Sequence, residues 1–283
     1  MFRGSLGAFG IITKMVVRLY PVGERNEFLW YEFDSVESLL SAIRETQRND
    51  IGNSVMAYNS SGLYSIVADH RDRMDAEVRG RIKSMIPESA WYLFIELEGA
   101  AERVEAEVRI TDRICLERNG GKLVRFPDEK MMKYLRDYTS HRGEAVMHQC
   151  NGGFWGFWCT LQSSKIIPFM REVNPMLDNL GLRDPVYPDE PMSVRWVIIL
   201  FDRGTTMVCG ISVEYDQLDR VQVEKLSEMV QPLIITMLKY GGTIPLTMKA
   251  LTDMLLMPSY ANLIRGIKKL IDPENILAPN RLC

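Results

Sequence analysis

Residues 193–215 read S-V-R-W-V-I-I-L-F-D-R-G-T-T-M-V-C-G-I-S-V-E-Y. Two apolar, β-branched runs, Ser193 to Phe201 and Thr206 to Tyr215, flank Asp202-Arg203-Gly204. That pattern predicts a β-hairpin, and therefore antiparallel neighbours. Upstream lies an aromatic strand candidate, Gly152 to Leu161, and then a helical stretch, Ser164 to Asn179. Pro168 and Pro175 are expected to start, kink or end that helix. Downstream, Leu218 to Lys239 reads as a helix with a disturbance at Pro232, and two short helices separated by Pro258 close the chain. Strands thus alternate with helices but include hairpins. This favours an α+β fold, a mostly antiparallel sheet flanked by helices, over a parallel doubly wound one.

The first half repeats the second in outline. Phe28 to Phe33 suits a strand, and Asp34 with Glu37 three residues on reads as a capping box. Val36, Leu39, Leu40 and Ile43 recur at helical spacing. Trp91 to Glu98 is a strand with Trp91, Leu93, Ile95 and Leu97 on one face. A helix carrying Val104, Val108 and Cys115 inward follows, ends at Asn119-Gly120-Gly121, and leads to a strand from Lys122 to Phe126. At the N-terminus, Gly4 to Thr13 reads G-S-L-G-A-F-G-I-I-T. Three glycines so spaced predict a tight backbone path, then a strand from Ile11 to Leu19, punctuated by Pro21 and Gly23.

Composition narrows the class. The chain is 46% hydrophobic and 25% charged, ordinary for a globular protein with a sizeable core. The net charge of -3 and the absence of a dominant basic run disfavour nucleic-acid binding. Five cysteines without a C-x-x-C pair argue against a disulfide framework or zinc module and fit a reducing, cytoplasmic setting. His70, His141 and His148 lack metal-ligand spacing, so no metal is expected. No signal peptide is read at the N-terminus, and the longest late apolar run, Trp196 to Phe201, is too short to span a bilayer.

Gly4, Ser5, Gly7, Gly10, Ile11, Ile12 and Thr13 resemble the G-S-x-G-x-x-G-I-I-T segment that ends the flavin domain of the vanillyl-alcohol oxidase/FAD-linked oxidase superfamily. Lys268 and Asp272-Pro273-Glu274-Asn275-Ile276-Leu277-Ala278-Pro279-Asn280-Arg281 resemble that family's closing K-x-x-x-D-P-x-x-I-L-x-P-G-K. Asp272-Pro273 can also stop a helix. A lone glycine spacing is weak, but two motifs in the right order, separated by an α+β stretch of suitable length, are fairly specific. The resemblance implies FAD as cofactor and three parts: residues 1–21 as the end of a flavin domain, 22–265 as the substrate (cap) domain, and 266–283 as a tail returning to the flavin side. Gly4 to Thr13, with Asn280 and Arg281, would contact FAD, since glycines allow close backbone approach. The glycine-rich pyrophosphate loop of the family is not found in this sequence. The expectation is therefore a separate flavin-domain polypeptide, a misassigned start or a fragment.

The resemblance implies a flavin oxidoreductase acting on a small organic substrate, with an electron-acceptor protein as a further candidate partner. Neither the H-x-G-D-G-N-x-H and E-H-G motifs of D-2-hydroxy-acid members nor the Tyr-Arg pair of the phenol-oxidising branch is present; Pro245-Leu246 fall where that pair would sit. Pocket candidates are His148, Arg195 and Tyr240 as catalytic groups, and Asn151, Trp155, Trp158 and Glu214 as substrate contacts. The bland alternatives are sheet packing for the tryptophans, a structural hydrogen bond for His148, and an internal Arg195–Glu214 ion pair. The competing function is a non-catalytic scaffold that kept the cap fold and lost the flavin site.

Overall fold

The computed structural model describes residues 7–19, 21–67, 84–87, 90–125, 153–182, 194–200, 206–243 and 258–279. The chain divides into two compact units, one formed by 22–242 and one by 1–21 together with 243–283.

The larger unit contains strands β1 (Arg25–Phe33), β2 (Ser54–Asn59), β3 (Trp91–Gly99), β4 (Lys122–Leu123), β5 (Gly153–Gln162), β6 (Arg195–Leu200) and β7 (Thr206–Tyr215). Its helices among the described residues include α1 (Val36–Arg48), α2 (Ser60–Val67), α3 (Ala101–Asp112), α4 (Ser163–Asp178) and α5 (Arg220–Lys239). The strands form one sheet in the order β4-β1-β3-β2-β6-β7-β5, and every described pairing is antiparallel. The α+β expectation therefore holds, and β6 and β7 are neighbours as the opening stretch implied. The turn at 202–204 lies outside the described residues.

The order shows a duplication. β1-α1-β2-β3-α3-β4, with α2 inserted after β2, is a split β-α-β unit ordered 4-1-3-2. β5-α4-β6-β7-α5 repeats it as 2-3-1, and the two halves meet where β2 pairs with β6. Ala57 opposes Ile198 at the centre of that seam, so residues 56, 94 and 30 of the first half correspond to 197, 210 and 158 of the second.

One face of the sheet packs on helices. Tyr31 and Phe33 of β1, Leu93 and Ile95 of β3, Trp196 and Ile198 of β6, and Cys209 and Ile211 of β7 are buried there. Tyr31 Oη donates to Asp112 of α3 at 2.7 Å, and Trp196 Nε1 donates to Asn174 of α4 at 3.0 Å. Both prolines of α4 and Pro232 of α5 sit inside their helices rather than ending them. An interior proline costs about 3 kcal/mol. Burial of Ile166, Phe169, Met170, Val173 and Leu177 on α4 offsets much of that, at roughly 1.5–3 kcal/mol for a fully buried large apolar side chain.

Several sequence expectations need correction. Ile11 to Leu19 is not a strand: the segment lacks regular structure, and Ile11, Val16 and Leu19 are 80%, 101% and 85% exposed. Its pattern is strand-like, but a strand needs a neighbour for its N–H and C=O groups. The strand at Lys122 is two residues long. A six-residue π-helix, Arg113–Arg118, continues α3 before Asn119. β2 and α2 were not anticipated, since S-V-M-A-Y-N has one β-branched residue and the following helix contains Gly62. Of the two short helices expected around Pro258, the second is α6 (Pro258–Ile271) of the smaller unit, and the first falls outside the described residues.

The cap of α1 is Ser35, not Asp34: Ser35 Oγ accepts from Ser38 N at 3.2 Å, while Asp34 pairs with Lys122 at 3.0 Å. Replacing Ser35 with Ala should lower unfolding stability by about 1 kcal/mol. Asp34→Ala should leave the denaturant midpoint nearly unchanged, and chemical denaturation of the two variants side by side checks the assignment.

Candidate functional site

The second face of the sheet, opposite the helices, carries Arg195 and Trp158. In its first half this face is filled. Trp30, Tyr58, Tyr92 and Phe94 are almost completely buried and pack with Leu63 of α2, Ile86 and Ala90. Trp30 and Phe94 ring centroids are 5.0 Å apart, and Phe28 stacks on Phe94 at 5.7 Å. Tyr92 Oη donates to Glu32 at 3.2 Å, and burial, then the Glu32 charge, raises the Tyr92 phenol above its ordinary range.

In the second half the same face carries small residues. Trp158 of β5 opposes Gly210 of β7, which opposes Val197 of β6. One row along, Gly156 opposes Ser212, which opposes Arg195. A Cβ on Gly210 would lie 2.5 Å from the Trp158 ring, so the indole sits against the Gly210 backbone in space that a side chain would need. Arg195 and Trp158 are half-buried, Ser212 is buried and Gly156 is exposed.

Of the residues singled out in the sequence, the structure therefore brings Arg195 and Trp158 to one face. Trp155 opposes Val213, whose side is that of the helices. Tyr240 follows α5 on that side too: its Oη donates to Glu172 of α4 at 2.8 Å and its ring meets Phe169 edge-on at 6.3 Å. Lys239 donates to Glu172 at 2.6 Å, and Lys239 first, then Tyr240, hold that carboxyl below its ordinary range. The bond to Glu172 raises the Tyr240 phenol. Glu214 occupies a β7 position opposite Phe154. His148, Asn151, Gly4, Ser5, Asn280 and Arg281 lie outside the described residues. A hollow of about 390 Å³ on the helical side, lined by Gln47, Asp50, Arg103 and Glu107 among others, includes none of the selected residues. Cys115, Cys159 and Cys209 are free and buried, and burial pushes the Cys159 thiol up to about 12, which leaves it a poor nucleophile.

In the smaller unit the two terminal motifs meet. Ala8 and Phe9 are buried, and Ile264 and Ile267 of α6 pack against them. A Cβ on Gly7 would lie 3.6 Å from that of Ala278. Gly7 has φ +81°, a conformation that favours glycine. Gly7 and the Ile11–Thr13 stretch are exposed. The tail is held by an ion pair that sequence reading saw only as part of a motif. Lys268 Nζ donates to Asp272 Oδ2 and, at 2.6 Å, to the Leu277 carbonyl. Asp272 in turn accepts from Ile276 N at 2.9 Å and Leu277 N at 2.8 Å. Both side chains are buried, 3% and 6% exposed. Two non-glycine residues of this loop, Asn275 and Ala278, have positive φ. The K-x-x-x-D spacing, one helical turn, was the available signal.

An antiparallel sheet with helices on one face, and a glycine segment joined to a Lys-x-x-x-Asp tail, define the C-terminal part of a flavin-linked oxidase. Residues 23–282 match the family described as FAD linked oxidases, C-terminal domain, and the chain belongs to that family. Over its full length the chain is 22% identical to the probable mitochondrial D-lactate dehydrogenase of Danio rerio, of which it spans 53%. Among solved structures, 4-ethylphenol oxidase from Gulosibacter chungangensis in complex with isoeugenol aligns with 94% of this chain and 55% of its own, at TM-score 0.71 and 14% identity. Substrate-bound p-cresol methylhydroxylase aligns with 92% of this chain and 53% of its own, at TM-score 0.70 and 17% identity. An alkyldihydroxyacetonephosphate synthase follows at TM-score 0.61 and 17% identity, with 97% of this chain and 48% of its own covered. The chain thus spans about half the length of these relatives, and the structural likenesses establish the fold.

The tail clamp has a defined pH response. Lys268, then the Ile276 and Leu277 amides, hold the Asp272 carboxyl below its ordinary range. A carboxyl depressed on folding contributes stability above its unfolded pKa and loses it as pH falls through the folded value. The Ile276 and Leu277 amide resonances should therefore stay constant from about pH 8 to 5 and shift together only below about 4, near and under the unfolded aspartate value. A titration of those resonances checks this.

Proposed function

We propose that this chain is the substrate-binding cap part of an FAD-dependent oxidoreductase that oxidises a small organic molecule by hydride transfer to flavin. The observation that carries the reading is the meeting of the two terminal motifs: Gly7 lies against Ala278, and the backbone leading to Thr13 is open to approach. Gly7, Gly10, Ile11, Ile12 and Thr13, with Gly4 and Ser5 just before them in sequence and Asn280 and Arg281 just after Ala278, would hold the cofactor, the glycine segment through main-chain groups. Bound FAD supplies the hydride acceptor; the protein supplies position, electrostatics and exclusion of water. On the cap, Trp158 offers a flat wall and Arg195 a cation for a polar or anionic substrate group. His148 is the candidate base, with Asn151 and Glu214 as supporting positions; Trp155 and Tyr240, on the helical side, drop out of the pocket.

The partner we propose is a flavin-binding domain, encoded with this chain or apart from it. The exposed run Ile11, Ile12, Met15, Val16, Val17 and Leu19 supports this, because an exposed apolar segment of strand-like pattern invites pairing with another sheet. Residues 1–21 would then complete that domain, and 266–283 return to it. Among the described residues no helix is long and apolar enough to cross a membrane, and the buried free cysteines favour a cytoplasmic setting. The same exposed run also suits the second reading, a scaffold subunit that docks without catalysis.

Co-expression with a flavin domain of this family separates the two. The complex should be yellow and hold about one FAD per pair; Gly7→Val should lower its flavin content at least tenfold, because a branched side chain disfavours positive φ. A correctly paired complex that stays colourless would reject the oxidoreductase reading in favour of the scaffold.

A further inference from the structure

We infer that the second half of the sheet carries a niche above Gly156, between the Trp158 indole and Arg195, that takes a flat organic carboxylate as substrate. This deepens the cap reading above and rests on it for the word substrate.

The internal duplication supplies the argument. The seam pairs Ala57 with Ile198, so the first half serves as a template for the second. Phe94 opposes Met56 and Trp30; the matching residue of the second half, which opposes Val197 and Trp158, is Gly210. Phe28 opposes Glu96; the matching pair is Gly156 and Ser212. Trp30 and Trp158 correspond directly. Two phenylalanines and a glutamate of the first half are thus replaced by two glycines and a serine, while the tryptophan is retained. In the first half those phenylalanines stack and fill the face. In the second half the Trp158 ring settles onto Gly210, and the position of the other phenylalanine is held by Gly156, which is exposed. Glycine weakens a strand interior, so two on one face of adjacent strands call for a reason, and close approach of a ligand is a standard one.

The lining fixes the chemistry. The Trp158 ring sits against Gly210 and packs on the aromatic cluster of the first half, and its half-buried indole is held in place as a stacking platform must be. Arg195 lies in the same row as Gly156, two strands away. Strands are about 4.8 Å apart, so roughly 10 Å separate the two backbones. A planar ring over Gly156 with a carboxylate toward the long arginine side chain spans that interval, and a guanidinium matches a carboxylate in geometry.

Benzoate is a suitable probe, with benzamide and cyclohexanecarboxylate as controls for charge and flatness. On the full chain, benzoate should shift the Trp158 indole N–H resonance saturably, and both controls should bind at least tenfold more weakly. Gly156→Phe, which restores the first-half residue, should raise the benzoate Kd at least tenfold without lowering the melting midpoint. Arg195→Met, which leaves the niche open, should do the same to Kd and should abolish the preference over benzamide. The inference is overturned if benzoate leaves the Trp158 signal unmoved, or if either folded variant binds it like the parent. Benzoate binding by a complex that never takes up flavin would sink the oxidoreductase reading and keep the niche. A flavin-loaded complex indifferent to benzoate would do the reverse.

Discussion

Three residue pairs hold the two halves of the large unit in one sheet: Met56 with Ile199, Ala57 with Ile198, and Tyr58 with Val197. The seam is short, and its end is fastened by a single amide side chain. Asn59 Nδ2 donates to the Val194 carbonyl at 2.9 Å, while its Oδ1 accepts from Gly62 N at 3.0 Å and Trp196 N at 2.9 Å. One residue thereby ties the end of β2, the start of α2 and the start of β6. A half-buried amide with its groups satisfied orients strands more sharply than apolar contact can, because hydrogen bonds are directional and orphaned partners are costly. The register of β6 against β2 decides which of its residues face the helices. A slip of one would send Trp196 to the far side and Arg195 into the core.

From that register follows a division of labour between the faces. The helical side holds the apolar mass: β3 alone buries Leu93, Ile95 and Leu97 there. The other side carries the aromatic cluster of the first half and, beyond the seam, the rows that contain Gly156 and Gly210. Stability and recognition are thus assigned to opposite surfaces of the same strands. Such an arrangement lets loops and side chains on the recognition side vary while the core stays fixed.

How much of this the residues declare depends on whether the deciding partner is local. Trp91 to Glu98 and Phe28 to Phe33 read correctly because alternation and β-branched or aromatic content are properties of the segment itself. Ile11 to Leu19 has the same local character and is no strand, because pairing is set by what lies alongside. β2 escaped notice for the opposite reason: S-V-M-A-Y-N is a weak strand locally and is made one by β3 on one side and β6 on the other. Ser35 and Asp34 are both competent caps, and the nearby Lys122 draws Asp34 away. Arg195 and Trp158 were found as an unusual charge and an unusual aromatic in strands. That Trp155 and Tyr240 face the helices depends on register and on where α5 ends. The niche glycines stood within a stretch noted for its aromatics, and their meaning emerges only when the first half is laid over the second.

The ion pair of Lys268 and Asp272 constrains the protein's own history. Each charge is buried and each is bonded to the main chain as well as to the other. Loss of either leaves an uncompensated charge and an unlatched loop, whereas joint replacement by well-fitted apolar side chains can be tolerated. Mutation therefore reaches any alternative only by passing through a damaged single variant. The two positions should change together across descendants of this chain or not at all, as a linked pair of letters four residues apart in the alphabet of the tail.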